Sequence, residues 1–235
     1  MGAPAERVRR VLEHGEIEVL GLMPRASNYT FAVKVNLDGD ELVAIYKPRD
    51  GEMPLWDFPD GTLWAREIAA HELSRALGWD IVPLTIAREG PHGIGSLQAF
   101  VEAEPGEHFL SLMPSHADAF RRVAAFDVIA NNADRKSGHC LLEKETKEIR
   151  VIDHGVCFAE EPKLRTVIWD FAGEPLPADV RAAVSSLDDP LYDVLGSLLS
   201  SREVAATRAR AVSLARAGTF PDPPEDRRPY PWPHI

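Results

Sequence analysis

The pattern of hydrophobic and polar residues changes near residue 104. Before that point, short runs rich in β-branched and aromatic residues predict strands, and Asp38-Gly39 between two of them is typical of a hairpin turn. The predicted strands are Ile17 to Leu22, Tyr29 to Asn36, Leu42 to Lys47, Ile81 to Ala87 and Gly95 to Glu102. Helical spacing of apolar residues over 5–14 predicts one amphipathic helix before the strands. A second helix is predicted from Leu63 to Leu77, with Thr62 as its N-cap and Gly78 as its stop signal.

After the break at Glu104-Pro105-Gly106, helical patterns dominate. Four helices are predicted, at Ala117 to Ala130, Pro177 to Leu187, Leu191 to Leu199 and Ser201 to Ala217. Ser200 and Glu203 have the spacing of a capping box, and Gly218 marks the end of the last helix. Two short apolar runs, Cys140 to Leu142 and Ile149 to Ile152, flank a charged turn and predict a hairpin within this helical half.

This organisation predicts an α+β protein of two lobes followed by a tail. The strand-rich N-lobe is assigned to residues 1–103, the helical C-lobe to 104–220 and the tail to 221–235. The tail contains six prolines between Pro221 and Pro233. It is expected to be either extended and docked or disordered.

Composition restricts the partners more than the fold. The 235 residues carry a net charge of -11, which disfavours nucleic acid or an anionic membrane as the main partner because both are negatively charged. No run approaches the roughly 18 apolar residues of a membrane-spanning helix, and the first residues lack the apolar core of a signal peptide. Two cysteines cannot form a disulfide framework. We therefore expect a cytoplasmic protein without stable membrane association.

Two acidic residues at strand–loop junctions are the strongest candidates for chemistry. Asp134 follows the apolar helix that ends at Asn131-Asn132, and Asp153 follows the second strand of the hairpin. Phosphoryl transfer needs one acid that orients or deprotonates the acceptor hydroxyl, and another that binds the divalent ion on the phosphates. The pattern assigns the first role to Asp134 and the second to Asp153. The alternative is that both are turn-forming residues.

Lys47 is the candidate cation for the phosphates. A lysine at the end of the third strand is the arrangement that holds the α- and β-phosphates in kinases. Its ammonium needs a carboxylate from the following helix, and Glu67 is preferred to Glu72 for that role. The loop before the second strand lacks glycines, but Ser27 and Asn28 could contact phosphate there. Lys47 and the two glutamates could instead be solvated surface charges.

His139 stands five residues after Asp134, where kinases usually have an asparagine that binds the second metal ion. Imidazole can bind a divalent ion, but it favours softer ions such as Mn²⁺ or Zn²⁺ over Mg²⁺. Alternatively, His139 is a loop residue, and Asn132 or water takes that position. A zinc site is a further alternative, disfavoured because adjacent residues of a strand point to opposite faces. Its ligands would be His139, Cys140, His154 and Cys157.

The motifs, in their order along the chain, resemble those of the phosphatidylinositol 3-/4-kinase superfamily, in particular the type II phosphatidylinositol 4-kinases. Asn132-Ala-Asp134-Arg135 is similar to the catalytic loop of that family, and Val151-Ile-Asp153-His-Gly155-Val-x-Phe158 is similar to its metal-binding motif. Ile45-Tyr-Lys47-Pro48 matches the segment of its phosphate-binding lysine. Gly95-Ser96-Leu-Gln98-x-Phe100-Val101-Glu102 matches the strand that leads into its adenine-binding hinge. The chain also resembles a small actinobacterial group of such kinase-like proteins.

This resemblance implies a two-lobed, protein-kinase-like fold that binds ATP together with Mg²⁺ or Mn²⁺. By resemblance, Lys47 holds the phosphates, Phe100, Val101 and Glu102 meet the adenine, Asp134 is catalytic and Asp153 binds the metal ion. The chain departs from the family at His139 and in lacking the cysteine-rich insert of the lipid kinases. After Asp153, only Lys163 and Arg165 could receive a phosphorylated headgroup.

Three functional hypotheses follow. The first is an ATP-dependent kinase that transfers the γ-phosphoryl group to a hydroxyl, with a soluble protein or small molecule favoured as the acceptor over a membrane phosphoinositide. The second is a pseudokinase that binds nucleotide and acts through a protein partner, and His139 is its motivation. The third is a metal-binding structural protein.

Overall fold

The computed structural model describes residues 3–24 and 28–234 and shows two lobes. The N-lobe contains helix α1 (Ala3–His14), a five-stranded antiparallel sheet and helix α2 (Leu63–Ala76). The strands are β1 (Glu16–Leu22), β2 (Phe31–Leu37), β3 (Asp40–Pro48), β4 (Thr85–Gly90) and β5 (Gly93–Ala99), and their order in the sheet is β1-β2-β3-β5-β4. The two-lobed α+β architecture is therefore confirmed. The residue bounds assigned to the lobes stay predictions.

The alternation of β3 decides which of its residues face the space between the lobes. Ala44 and Tyr46 lie under α1, where they form a small apolar core with Val11 and Leu12. Because neighbouring side chains of a strand point to opposite faces, Lys47 projects away from α1. The alternating buried and half-buried positions along β3 agree with this arrangement.

Helix α2 is buried on nearly all sides and joins the two lobes. Its residues Ala69 and Leu73 belong to the large apolar core of the C-lobe. Arg66 is also buried; it donates a hydrogen bond of 2.7 Å to the carbonyl of Cys157 and another to the carboxylate of Glu203. The helix is therefore held to the C-lobe by apolar packing and by a buried ion pair.

The start of α2 is stabilised by a residue that was not predicted. Thr62 is the N-cap residue as predicted, but its side chain makes no capping hydrogen bond, because its hydroxyl donates to the carbonyl of Pro59 at 2.7 Å. The carboxylate of Glu52 instead accepts hydrogen bonds from the backbone N–H groups of Leu63, at 3.0 Å, and Trp64, at 2.8 Å. A carboxylate at a helix N-terminus satisfies unpaired donors and is favoured by the helix dipole. The sequence could not show this cap, because Glu52 lies in a separate loop.

Strands β4 and β5 are shifted relative to the predicted runs. The first run was predicted to begin at Ile81, but that residue lies in the C-lobe core and its carbonyl accepts a hydrogen bond of 2.8 Å from Val151 N. The strand β4 begins only after this contact. Gly93 closes the hairpin with a φ of 87°, a left-handed conformation that favours glycine. Strand β5 ends at Ala99, so residues 100–102, which were predicted to continue it, lie beyond the strand.

Within the described residues, the C-lobe contains five α-helices, one hairpin and a short 3-10 helix at Ser137–His139. Its elements are α3 (Phe109–Leu112), α4 (Ala117–Ala130), β6 (Cys140–Leu142), β7 (Ile149–Val151), α5 (Ala178–Ser185), α6 (Asp189–Gly196) and α7 (Ser201–Ala217). The bounds of α4 and α7 agree with the predictions, as do the capping box of Ser200 and the left-handed Gly218. The predicted α6 began too late, because Pro190 occupies its first turn. The one-turn helix α3 was not predicted. No helix in the described ranges combines the length and apolar character needed to cross a bilayer.

The proline-rich tail is docked and extended. The carbonyl of Pro229 accepts a hydrogen bond of 3.0 Å from Thr166 N, and the carbonyl of His234 accepts one of 2.8 Å from Ser137 N. Of the two predicted alternatives, docking is therefore confirmed as far as His234.

Replacing Arg66 with alanine is expected to lower the free energy of unfolding by about 3–5 kcal/mol, because Glu203 would remain as a buried charge without its partner. The matched control is Arg75→Ala on the same helix. Arg75 pairs with Glu72 near the surface, and exposed pairs contribute about 0–1 kcal/mol. Urea denaturation followed by circular dichroism measures both losses. Equal losses would show that the buried pair does not hold α2 to the C-lobe.

Candidate active site

Lys47 lies between two carboxylates, one from each lobe. Its ammonium donates to Oε1 of Glu67 and lies 3.0 Å from Oδ1 of Asp153. Burial opposes the charge of this ammonium, but the two carboxylates outweigh burial and raise the pKa of Lys47. A Cβ at Gly95 on β5 would lie 2.4 Å from the carbonyl of Lys47, so only glycine lets β5 approach β3 this closely. The sheet therefore holds Lys47 as a fixed cation at the cleft.

Glu67 is the acid of α2 that the sequence favoured, and the structure places it at Lys47. It is 2% exposed. Its second oxygen, Oε2, accepts a hydrogen bond of 3.0 Å from the backbone N–H of His154. The other candidate, Glu72, pairs with Arg75. Glu67 thus bonds to the lysine of the N-lobe and to the backbone next to Asp153 at the same time.

Asp153 lies in the turn after β7. Its φ of 65° is left-handed, a strained conformation for a residue other than glycine and one that recurs at functional sites. The carboxylate is half exposed, with Oδ2 lying 3.3 Å from Nε2 of His139. The charge of Lys47 is the main cause of a lowered pKa for Asp153. The carboxylate is therefore ionised at neutral pH, as a metal ligand must be.

The imidazole of His139 lies next to the carboxylate of Asp153. Burial lowers the pKa of His139 to about 4, although the charge of Asp153 acts in the opposite direction. The imidazole is therefore neutral at neutral pH, which is the form that binds metal ions. One carboxylate and one imidazole fit a site in which substrate phosphates complete the coordination of Mg²⁺ or Mn²⁺. Across 3–24 and 28–234, no three His, Cys, Asp or Glu side chains form a group that could hold an ion by themselves.

Two alternatives left open by the sequence do not fit this geometry. Asn132 is fully buried; its amide nitrogen donates to Asp127 at 3.0 Å and its oxygen accepts from the backbone of Asp134 at 2.9 Å. Its amide is therefore committed to the fold and not to a metal ion. In the zinc hypothesis, Cys140 and Cys157 would be ligands, but both lie in the apolar core. Burial raises the pKa of Cys140 to about 12, so it stays a thiol.

Asp134 lies in the loop after α4, which ends because Asn131 takes a left-handed φ of 51°. Its carboxylate pairs with the ammonium of Lys136 at 2.9 Å. Burial raises the pKa of Asp134, and the hydrogen bond and charge of Lys136 limit that rise. A carboxylate with a raised pKa is a stronger base, which suits a group that accepts a proton.

Sequence reasoning missed the buried network around Arg135. This guanidinium donates to both oxygens of Asp127, to the carbonyl of Ile152 at 3.0 Å and to Nε2 of His154 at 2.8 Å. Arg135 and Asp127 are both fully buried. The only available signal was Asp127 itself, a single acid on the apolar face of α4, since a charge there requires a partner. The network joins α4, the loop of Asp134 and the turn of Asp153.

The predicted adenine segment leaves the sheet and crosses to the C-lobe. Phe100 N donates to the carbonyl of Val43 at 3.2 Å, and the carbonyl of Glu102 accepts from Lys144 N at 2.8 Å. Between them, the backbone of Val101 makes no hydrogen bond within the described part of the chain. A free N–H and C=O at this position match the two groups that would meet an adenine edge. The roles of Phe100, Val101 and Glu102 stay predictions.

The predicted phosphate loop is described only in part. Ser27 lies outside the described residues. Asn28 is described, and its Oδ1 accepts a hydrogen bond of 2.8 Å from the backbone of Met53. This bond ties the loop to the segment after β3. Whether Asn28 also contacts phosphate stays a prediction.

Sequence comparison finds a relative that aligns along nearly the whole chain and plant kinases that align along part of it. Protein Rv2133c of Mycobacterium tuberculosis is 40% identical over 262 aligned positions, which cover 95% of this chain and 94% of the relative. Phosphatidylinositol 4-kinase gamma 4 of Oryza sativa subsp. japonica is 26% identical and covers 64% of this chain but only 33% of the plant protein. No family model matches the chain.

Solved structures of similar fold include kinases. The Helicobacter pylori proinflammatory kinase CtkA has a TM-score of 0.58 at 13% identity, covering 89% of this chain and 94% of that one. The Golgi casein kinase with Mn/ADP bound has a TM-score of 0.56 at 12% identity, covering 90% of this chain and 74% of that one. Hydra Fam20 has a TM-score of 0.59 at 12% identity, covering 92% and 88%. Identities this low show a shared fold alone. The chain thus belongs to the same family as protein Rv2133c, and its fold is that of the two-lobed kinases.

Proposed function

We propose that this protein is an ATP-dependent kinase of the phosphatidylinositol 3-/4-kinase superfamily whose acceptor is a hydroxyl of a soluble protein or small molecule. The contact of Lys47 with both Glu67 and Asp153 carries the proposal, because an active kinase needs the lysine–glutamate pair and the metal-binding acid in place together. The partial likeness to a plant phosphatidylinositol 4-kinase supports the superfamily. The Mn/ADP complex of the Golgi casein kinase supports a divalent ion with the nucleotide.

In this proposal, the N-lobe supplies the lysine that binds the phosphates, and the C-lobe supplies the base and the metal ligands. Lys47 binds the phosphates, and the backbone of Val101 meets the adenine. A divalent ion held by Asp153 and His139 would neutralise negative charge on the β- and γ-phosphates. Asp134 orients the acceptor hydroxyl and takes its proton while the hydroxyl oxygen bonds to the γ-phosphorus. The bond from that phosphorus to the β–γ bridging oxygen breaks, and ADP leaves.

His139 favours a second candidate, a pseudokinase. An imidazole replaces the amide that kinases use for the second metal ion, and it suits Mg²⁺ poorly. In this case the same cleft binds nucleotide without transfer, and the protein acts through a partner. The two candidates share every contact of Lys47, so only turnover separates them.

Replacing Asp134 or Asp153 with asparagine is expected to reduce γ-phosphoryl transfer by about 10²–10⁴-fold, because each change removes a charge that the transition state needs. Transfer of label from [γ-³²P]ATP to proteins and metabolites of a cell extract measures the loss. Asp193→Asn is the matched control, since Asp193 is exposed on α6. Nucleotide-dependent thermal stabilisation without transfer, in Mg²⁺ or Mn²⁺, would contradict the kinase and leave the pseudokinase.

The second prediction concerns metal choice. His139→Asn introduces an oxygen ligand, and this change is expected to shift the metal that best supports nucleotide binding from Mn²⁺ toward Mg²⁺. His139→Ala should weaken metal-dependent binding with either ion. Thermal stabilisation by ATP, titrated with each metal, measures both variants. If His139→Ala leaves metal-dependent binding unchanged, His139 is not a ligand.

The third prediction concerns pH. Asp134 must be deprotonated to accept a proton, so kcat/KM should fall as the pH decreases through its pKa. Lys136 lowers that pKa, and Lys136→Met should therefore move the acid limb to higher pH. Lys147→Met is the control, because its ammonium contacts Glu104 away from the cleft. An acid limb that does not move in Lys136→Met would argue against Asp134 as the base.

A further inference from the structure

The end of the tail is bonded to both segments that border Asp134. We name residues 227–234 the strap. Its Pro229 carbonyl accepts hydrogen bonds from Thr166 N, at 3.0 Å, and from Nε1 of Trp169, at 3.1 Å. Its His234 carbonyl accepts from Ser137 N, three residues after Asp134. The strap therefore spans from the segment after Asp153 to the catalytic loop.

The strap exposes an indole that its neighbours hold in place. Trp232 is 73% exposed. The guanidinium of Arg228 lies 5.5 Å from its ring centroid, and the ring of His234 meets it edge-on at 6.0 Å. Pro231 beside it is buried and anchors the backbone. Alternating prolines restrict the strap before any ligand binds, so little conformational entropy remains to be lost there.

Two cations without carboxylate partners lie at the same junction. The bond between Thr166 and Pro229 joins the two segments that carry Arg165 and Arg228, each one residue before the bonded residue. Neither guanidinium has an ion-pair partner among the described residues, whereas the neighbouring Arg227 pairs with Asp226. The charge of Arg165 also reaches Asp134, where it lowers the pKa of that carboxyl. In a chain of net charge -11, this is a local basic surface beside the candidate base.

We infer that the strap forms one wall of the acceptor site, and that the acceptor is a polypeptide with carboxylates flanking the hydroxyl that it presents. The inference rests on the proposed kinase function, whose acceptor it narrows. A small metabolite would need a concave pocket that encloses it, but Trp232 stands open to solvent. Exposed tryptophan beside arginine is typical of anchor residues at protein interfaces. The two free guanidinium groups supply charge complementarity to an acidic segment.

Fluorescence anisotropy with two labelled peptides measures whether the strap binds an acidic polypeptide, and it does not require turnover. One peptide carries a serine between glutamates, and the other carries the same serine between lysines. The full chain is expected to bind the glutamate peptide and not the lysine peptide. The double variant Arg228→Glu with Trp232→Ala should weaken this binding at least tenfold. Trp56→Ala is the matched control, because Trp56 is 94% exposed and lies in the segment before α2.

Three results would overturn the inference. The first is equal binding of the glutamate peptide by the wild type and the double variant. The second is a preference for the lysine peptide. The third is binding to phosphatidylserine vesicles that the double variant loses, without peptide binding, which would assign the surface to a membrane. Circular dichroism of the double variant confirms that it is folded.

The same peptide with labelled ATP separates this inference from the kinase proposal. Peptide binding with the expected loss in the double variant, but no transfer, would support the wall and contradict the kinase. Transfer at the same rate in the double variant would support the kinase and overturn the wall. Transfer that the double variant loses through a higher KM supports both.

Discussion

The buried ion pair between Arg135 and Asp127 sets the geometry of the cleft. One guanidinium holds the carboxylate of α4, the carbonyl of Ile152 just before Asp153, and the imidazole of His154. A charge buried this completely is tolerable only with its partners, and losing one partner typically costs about 3–5 kcal/mol. The loop of Asp134 and the turn of Asp153 therefore cannot shift independently. Arg135 thus helps to fix the distance between the candidate base and the candidate metal ligand, together with backbone hydrogen bonds between the same two segments.

Glu67 provides the second constraint, and it acts between the lobes. Its two oxygens bond to Lys47 and to the backbone of His154, so the cation of the sheet is tied to the C-lobe. Arg66, one residue earlier, fixes the same helix to α7 through Glu203. In kinases that are activated by movement of the helix that carries the glutamate, the lysine–glutamate pair forms only on activation. Here α2 already holds that pair, and its burial against the C-lobe core opposes movement.

Most of the candidate site residues could be located from the sequence, because local patterns mark their positions, and their roles stay predictions. Lys47 ends a recognisable strand, and Asp134 and Asp153 follow apolar elements whose ends are marked by turn residues. The sequence already preferred Glu67 to Glu72, but both are acids of one helix, and only packing shows which of them faces β3. The Glu52 cap and the partners of Arg135 come from distant segments, so no local pattern could identify them. The tail was ambiguous for the same reason, because the hydrogen bonds that dock it go to Thr166, Trp169 and Ser137, which lie far away in the chain.

The sequence by itself determined the two-lobed fold class, nearly all of the helices and strands, and the order of the motifs. Strand alternation and helix signals act over a few residues, which is why they can be read without the fold. Only the tertiary structure decided that His139 meets Asp153, that Asn132 serves the fold, and that the strap lies beside Asp134. The contact of His139 with Asp153 and the docking of the strap join residues that are separated in the chain, and the role of Asn132 depends on how its loop packs. Such contacts form only when burial of the apolar cores brings the two lobes and the tail together.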